Sequence, residues 1–376
     1  MNAVERLNVL YTVTHGEMGG VHRFLESVFL HHTTDVKPVV LSFREGSWLG
    51  DLRHRGLPVY CIDDARLREP SRCFREVSAI LRGEQIHVVH SSYSWCHCLA
   101  FPAALWHGCR TIWFHHGPIS DRRWQGWMSV VPTDLLLTNS EFMRGRLART
   151  FYRAKNVGVV RYGIDADALR PDPVSRARFR NAWGLDEQKV AVGIVGFIDV
   201  WKGQDVFLQA AKILSSRGMP LHMFVIGGPR DGISRSRCVA FERQLHEYLR
   251  DNDLTDFVTF TGHVDIREGA FDGIDVFVHA STEPEPFGSA VLEAMAKGKA
   301  IIASNQGGNL EMLTNDTDGV LIEPRRPEVL AEAIGELCED GTLRQRLAIA
   351  ARETALTGHA VRRPVQQLEQ WYRALL

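Results

Sequence analysis

Short apolar runs of strand length alternate with helical patterns along the whole chain. In the first half the runs are LNVLYTVTH from Leu7, KPVVLSF from Lys37, PVYCI from Pro58, IHVVHS from Ile86, RTIWFHH from Arg110 and DLLLTNS from Asp134. Amphipathic stretches such as VHRFLESVFLHH from Val21 and EFMRGRLARTF from Glu141 separate them. The second half repeats the rhythm with KVAVGIVGF from Lys189, LHMFVIGG from Leu221, FVTFTG from Phe257, DVFVHAS from Asp275, KAIIAS from Lys299 and GVLIEP from Gly319. Runs that are β-branched and do not alternate with polar residues predict parallel strands covered on both faces by helices.

The pattern therefore predicts an α/β protein with two open parallel sheets. Between the halves, GIDADALRPDPVSRARF carries Pro171, Pro173 and three aspartates, the composition of a linker before a helix. At 376 residues the chain exceeds the usual size of a single core, which again favours two domains. The expected division is 1–170, 171–358 and a terminal helix over 359–376. In that helix Val361, Val365, Leu368, Trp371 or Tyr372, and Leu375 fall at helical spacing and need a surface to bury against.

Composition narrows the class. A hydrophobic content of 45% and a charged content of 24% are ordinary for a globular protein. The net charge of -1 leaves no footprint for nucleic acid. It is unevenly divided: through Asp165 there are 20 Lys+Arg against 15 Asp+Glu, and the remainder has 24 against 30, so +5 and -6 give -1. The seven cysteines are scattered without a CxxC pair, and are expected to be reduced and mostly buried. The opening MNAVERLNVLYTV enters a strand pattern directly, and no apolar run approaches the ~20 residues that span a bilayer. A cytoplasmic protein is expected, at most associated with the inner face of a membrane.

Glycines gather where the strands end, in HGEMGGV, VGFIDVWKGQD, VIGGPRDG, FTGHVD, HASTEPEPFGS and IASNQGGN. Glycine lets backbone amides approach a ligand closely, and helix N-termini favour phosphate. Such turns also close ordinary strand-to-helix connections, so the signal lies in their number. None reads GxGxxG or GxxxxGK[ST], which counts against a dinucleotide enzyme or a P-loop ATPase. Lys202 stands just ahead of a helix, where a cation opposes the dipole unless an anion shares the site.

The stretch EPEPFGSAVLEAMAKGKAIIAS sets three carboxylates around a Pro-Phe-Gly turn. A helix beginning near Gly288 or Ser289 leaves Glu285 just ahead of it and Glu293 about one turn in. Two carboxylates so placed can accept from hydroxyls of two sugar rings, at ~1.5–3 kcal/mol per charged hydrogen bond. Glu293 could equally pair with Lys297 at i,i+4. Glu283 reads as an outer charge near the helix dipole.

EPFGSAVLE, with seven residues between Glu285 and Glu293, resembles the E-x7-E signature of retaining GT-B glycosyltransferases of family 4. GEMGGVHRFL, TNSEFMRGRL, VVRYGIDADALRP, VGFIDVWKGQD, FVIGGP, FTGHVD and AIIASNQGGNLEML follow in that family's order, from about residue 8 to residue 376. The resemblance implies two Rossmann-like domains facing across a cleft, with the terminal helix crossing back to the first. It implies a donor that is a nucleotide-diphosphate sugar, UDP- or GDP-linked, with no cofactor and no metal. Glu293 would bind the ribose hydroxyls, and Glu285 with Phe287, Gly288 and Ser289 the transferred sugar. Lys202 would contact the diphosphate, with Gly19 and Gly20 closing over it. His116, in WFHHGP, would sit near the reacting carbon, and His263 and Val264 by the base. Where the family has an Arg after the strand glycine this chain has Phe197, and Arg230 is the substitute cation. Attack would come from the face the diphosphate leaves, with the proton passing to the departing phosphate oxygen.

The acceptor, a glycan or lipid-linked sugar, is expected on the first domain. Trp124, Trp127 and Met128 beside Arg122 and Arg123, and a helix carrying Arg144, Arg146, Arg149, Arg153 and Lys155, suit a peripheral membrane contact or a growing cell-surface polysaccharide. The same residues also read as core tryptophans and a solvated helix face. A GT-B phosphorylase or epimerase, or a non-catalytic nucleotide-sugar-binding protein, is the rival reading.

Overall fold

A computed structural model describes residues 6–63, 69–117, 131–150, 157–229, 235–264 and 269–376. The chain forms two compact units, one comprising the residues up to Gly163 together with Val361–Leu376, the other Ile164–Ala360.

In the first unit the strands are β1 (Leu7–Val13), β2 (Val36–Ser42), β3 (Val59–Cys61), β4 (Val88–Ser91), β5 (Arg110–His115), β6 (Leu135–Thr138) and β7 (Val157–Val159). The helices are α1 (Gly20–His31), α2 (Ser47–His54), α3 (Pro70–Gly83), α4 (Ser94–Trp106) and α5 (Glu141–Thr150). The sheet runs β3-β2-β1-β4-β5-β6-β7, with each neighbouring pair parallel. The interior strand β1 shows why the apolar run is unbroken: Val9, Leu10, Tyr11 and Val13 are all fully buried, so side chains pointing to either face meet covering helices.

The second unit holds β8 (Val190–Val195), β9 (Leu221–Ile226), β10 (Val258–Gly262), β11 (Val276–His279), β12 (Ala300–Ser304) and β13 (Val320–Ile322). Its helices are α6 (Pro173–Ala182), α7 (Gln204–Ser216), α8 (Arg235–Asp251), α9 (Ser289–Ala296), α10 (Pro327–Glu339) and α11 (Gly341–Gly358). The order β10-β9-β8-β11-β12-β13 is again parallel throughout, and reverses direction between β8 and β11. Ligands in such sheets bind beyond the carboxyl ends of the strands at the point of reversal. The fold is that expected: two Rossmann-like parallel-sheet domains. Strand β7, three residues long, was not among the runs read from sequence.

The terminal helix α12 (Arg362–Leu375) belongs to the first unit. It buries Val365, Leu368 and Tyr372, so Tyr372 rather than Trp371 completes the apolar face. The Tyr372 hydroxyl lies 2.9 Å from the Tyr11 hydroxyl and 2.7 Å from His90 Nδ1. Glu369 accepts from the Thr33 amide at 2.8 Å and pairs with His32 at 2.9 Å, locking the helix to the end of α1. Cys73, Cys96 and Cys238 are buried, whereas Cys61, Cys98, Cys109 and Cys338 are only half-buried. Among the described residues no helix is long and apolar enough to cross a membrane.

Candidate active site

At the carboxyl ends of β8 and β11, two loops of the second unit converge. The loop after β8 carries Lys202, whose amide donates to Asp199 O at 2.9 Å. The loop after β11 carries Glu285. The Thr282 amide donates to Trp201 O at 2.8 Å, tying the two loops together. Gly203, between Lys202 and α7, has φ 77°, and a Cβ there would lie 1.9 Å from Ala280 O. Only glycine fits both the left-handed conformation and that close approach.

Glu285 is the centre of the arrangement. Lys202 Nζ donates to its Oε1. His279 Nε2 donates to the same oxygen at 2.9 Å and Ser281 Oγ at 2.8 Å. The other oxygen, Oε2, has no hydrogen-bond partner among the described residues. The carboxylate is 7% exposed. Burial alone would push its pKa up, but the Lys202 ammonium and His279 outweigh burial and hold it well below the usual carboxylate range. Lys202 Nζ also rests over the Trp201 ring, 4.2 Å from its centroid.

His279 ends β11, and its ring is oriented from behind. Asn309 Nδ2 donates to Ser304 O at 3.0 Å, which fixes the amide, and reaches His279 Nδ1 at 3.1 Å. Nδ1 is thus the acceptor, and Nε2 bears the proton that Glu285 receives. Asn309 lies in the 3-10 turn Gly307–Glu311, whose Gly308 amide donates to Glu285 O at 2.9 Å. The sequence reading singled out none of His279, Ser281 and Asn309 as site residues. The available signal was a histidine closing the otherwise apolar VFVH run where a parallel strand meets its loop.

The other predicted residues separate into groups. Gly288 caps α9 in a left-handed conformation, Ser289 opens the helix, and Phe287 is buried beside them. Glu293, one turn into α9, is buried; Lys297, the other half of the possible i,i+4 pair, gives its ammonium to Asp272 Oδ2 at 2.5 Å and to Arg170 O at 3.0 Å. Glu283 is exposed and pairs with Arg325 at 2.5 Å. His263 and Val264 follow β10, the edge strand, with β9 and β8 between them and β11. Phe197 is 41% exposed just beyond β8, and its carbonyl accepts from Gln204 Nε2 at 3.0 Å. Arg230 lies outside the described residues. Arg237, on α8, reaches Asp199 Oδ1 at 3.2 Å and so brings a guanidinium to the Lys202 loop.

In the first unit, His116 directly follows β5. Its Nδ1 is 2.7 Å from the Tyr162 hydroxyl, its ring stacks on Phe114 with centroids 4.0 Å apart, and Nε2 is buried without a partner among the described residues. Burial holds its pKa well below the ordinary histidine value, so the ring is neutral. Gly19 is extended and precedes α1, which Gly20 opens. Trp124, Trp127, Met128, Arg122, Arg123, Arg153 and Lys155 lie outside the described residues. Of the remaining basic residues on α5, Arg144 is paired with Glu141 at 2.5 Å, so that helix is less cationic than its arginine count suggests.

Residues 175–354 match the family described as Glycosyl transferases group 1, and residues 18–168 match Glycosyltransferase Family 4. Among curated relatives is a GDP-mannose-dependent alpha-(1-6)-phosphatidylinositol monomannoside mannosyltransferase of Mycobacterium tuberculosis, 29% identical over 59% of this chain and 57% of its own length. Another is a D-inositol 3-phosphate glycosyltransferase of Corynebacterium urealyticum, 28% identical over 64% of this chain and 57% of its own length. The chain thus matches a little over half the length of these relatives. Among solved structures, Anabaena Alr3699/HepE in complex with UDP-glucose superposes with a TM-score of 0.88 over 98% of this chain and all of that one (100%), at 20% identity. A glycosyltransferase from Rickettsia africae gives 0.83 over 98% of both chains at 19% identity. The two halves of the chain thus match glycosyltransferase models in succession, and the structural neighbours share its GT-B fold.

Proposed function

We propose that this chain, whose two halves match group 1 and family 4 glycosyltransferases, moves a hexose from a UDP- or GDP-linked sugar to a hydroxyl of a glycan or lipid-linked acceptor, with retention at the anomeric carbon. The observation that carries the reading is the asymmetry of Glu285. One oxygen is saturated by Lys202, His279 and Ser281, and the other is left for a ligand hydroxyl. A carboxylate kept ionised and rigid in this way is a strong acceptor and a poor proton carrier, so it orients the sugar rather than titrating.

Lys202 supplies positive charge where a diphosphate departs, aided by the helix starts at α7 and α9. The acceptor hydroxyl attacks from the same face and gives its proton to the leaving phosphate oxygen. No protein base and no metal enters this scheme. Glu293 takes the ribose hydroxyls, Phe287, Gly288 and Ser289 line the sugar, and His263 and Val264 flank the base. Gly19 and Gly20 offer the start of α1 to phosphate, and His116, whose buried Nε2 has no partner among the described residues, stands near the reacting carbon. One relative's name carries a phosphatidylinositol-linked acceptor and another's an inositol phosphate; we take the acceptor here to be lipid-linked, in cell-surface glycan synthesis, and reached at the inner face of a membrane.

A thermal-shift series with UDP, GDP, ADP and CMP tests the donor. At 100 times its Kd the right nucleotide stabilises by ~2.7 kcal/mol, on the order of 5–10 °C. Proton NMR of the product formed from the matching α-linked donor then reads the anomer. No shift with any nucleotide would sink the proposal, and a β-linked product would sink retention.

A further inference from the structure

The opposite end of the second unit's sheet holds a cavity of about 290 Å³, lined among others by Asp275, Lys299, Gly341, Arg344 and Gln345. Asp275 and Lys299 immediately precede β11 and β12, so the cavity lies at the amino ends of these strands. Lys202 and Glu285 lie beyond the carboxyl ends, and β12 alone spans roughly 16 Å between the two sides. The cavity is therefore not part of the site already described.

Its charges are unbalanced. Lys299 is 8% exposed, and its ammonium donates to a neutral acceptor, Asp272 O, at 3.2 Å. Asp275, the acidic group on the wall, is already committed. It pairs with Arg176 at 2.9 Å and Arg180 at 3.3 Å, and accepts from the Ala191 amide at 2.8 Å. Arg344 uses Nη1 on Leu337 O and Cys338 O, which leaves Nη2 over the start of α11, 3.5 Å from where a Gly341 Cβ would stand. Asp340 caps the Leu343 amide at 2.9 Å, so the Gly341 and Thr342 amides at the head of an 18-residue helix are not engaged by that cap. Burial pushes the Lys299 amine down to about 8, against the pull of Asp272 and Asp275, as expected for a cation lacking a close counter-ion.

We propose that this cavity binds a small oxyanion of the phosphate class, with the Lys299 ammonium, the Arg344 guanidinium and the first-turn amides of α11 as its donors. A tetrahedral oxyanion accepts from several directions at once, and a lysine, a planar guanidinium and a helix start supply donors of that kind. The volume exceeds one phosphate group, so a phosphomonoester with a small organic body fits as well as the free ion.

Isothermal titration of the full chain with inorganic phosphate, and separately with glycerol 3-phosphate, tests this. Phosphate is expected to bind wild type and Lys202→Ala equally, which separates the cavity from the proposed donor site. Gln345→Glu, an exposed change that removes no bond, should weaken binding about tenfold by placing a like charge on the wall. Lys299→Met should abolish it, and if that variant does not fold, Gln345→Glu decides. Tighter binding of glycerol 3-phosphate would identify a phosphomonoester, and equal binding the free ion, both within the proposal. Absence of heat with either probe, or affinities lost in Lys202→Ala and unchanged in Gln345→Glu, would overturn it.

Discussion

Lys202 and Glu285, 83 residues apart in sequence, meet in one ion pair where two loops of the second unit cross. The pair is a cation that the proposed diphosphate needs and an anion that the proposed sugar needs, each holding the other in place. Glu285→Ala and Lys202→Ala should therefore each lower kcat at least ~100-fold, the scale of one transition-state contact. Steady-state assays with the identified donor measure this, and near-normal rates in both would contradict the assignment.

The ring of His279 is set by Asn309, which suggests a subtler test. Asn309→Asp replaces the donor at Nδ1 with a carboxylate, so His279 lies between two carboxylates, takes a second proton and becomes an imidazolium. The new charge beside Glu285 should lower kcat roughly tenfold, about 1.4 kcal/mol. The nitrogen-15 shifts of His279 should move from the neutral Nε2-H tautomer to the imidazolium in the same variant. An unchanged tautomer with unchanged kcat would remove Asn309 from the site.

Acid should loosen the first unit before it affects the carboxylates. His22 and His97 are lowered to about 4 and His90 to about 3, in each case chiefly by burial. In the unfolded chain these groups titrate near the ordinary ~6.5. Between there and about 4 the unfolded state binds protons that the folded state refuses, so stability is full above ~6.5 and is lost as pH falls. At pH 5 the loss is about 2 kcal/mol for one histidine lowered to about 4. Depressed carboxylates such as Glu285 act only below ~4.5, which leaves the higher window to the histidines. Urea unfolding midpoints at pH 7 and pH 5 check this, and a flat profile would count against it.

Tyr372→Phe should destabilise the protein by ~1–3 kcal/mol, because Tyr11 and His90 lose a shared partner in a dry interior. The change is a single oxygen, so thermal unfolding should shift without loss of secondary structure. An unshifted midpoint would mean that a neighbouring group takes over the bond.

The alternation of strands and helices was legible because parallel strands buried on both faces write themselves as continuous apolar runs. Strand β7 was not, since Gly158 breaks its three residues; a Cβ there would strike Leu137 at 2.7 Å, so packing excludes the side chain that would have marked the strand. Glu285 and Lys202 stood out by their place beside prolines, glycines and a helix start. His279, Ser281 and Asn309 did not, because each is one polar residue in a separate segment and their common purpose exists only after β11 and the 3-10 turn meet. For Glu293, sequence allowed an ion pair with Lys297, whereas that lysine is drawn to Asp272 in a region its helix periodicity does not encode.

The first unit is assembled from two stretches of chain, whereas the second is one uninterrupted stretch between them. During synthesis the seven strands of the first sheet leave the ribosome early, yet the helix carrying Tyr372 and Glu369 follows only after the whole second unit has been made. The unit begun first is thus the unit completed last. The nascent first sheet must wait with the surface destined for Leu368 and Tyr372 uncovered, a period in which a chaperone or an aggregating neighbour could reach it.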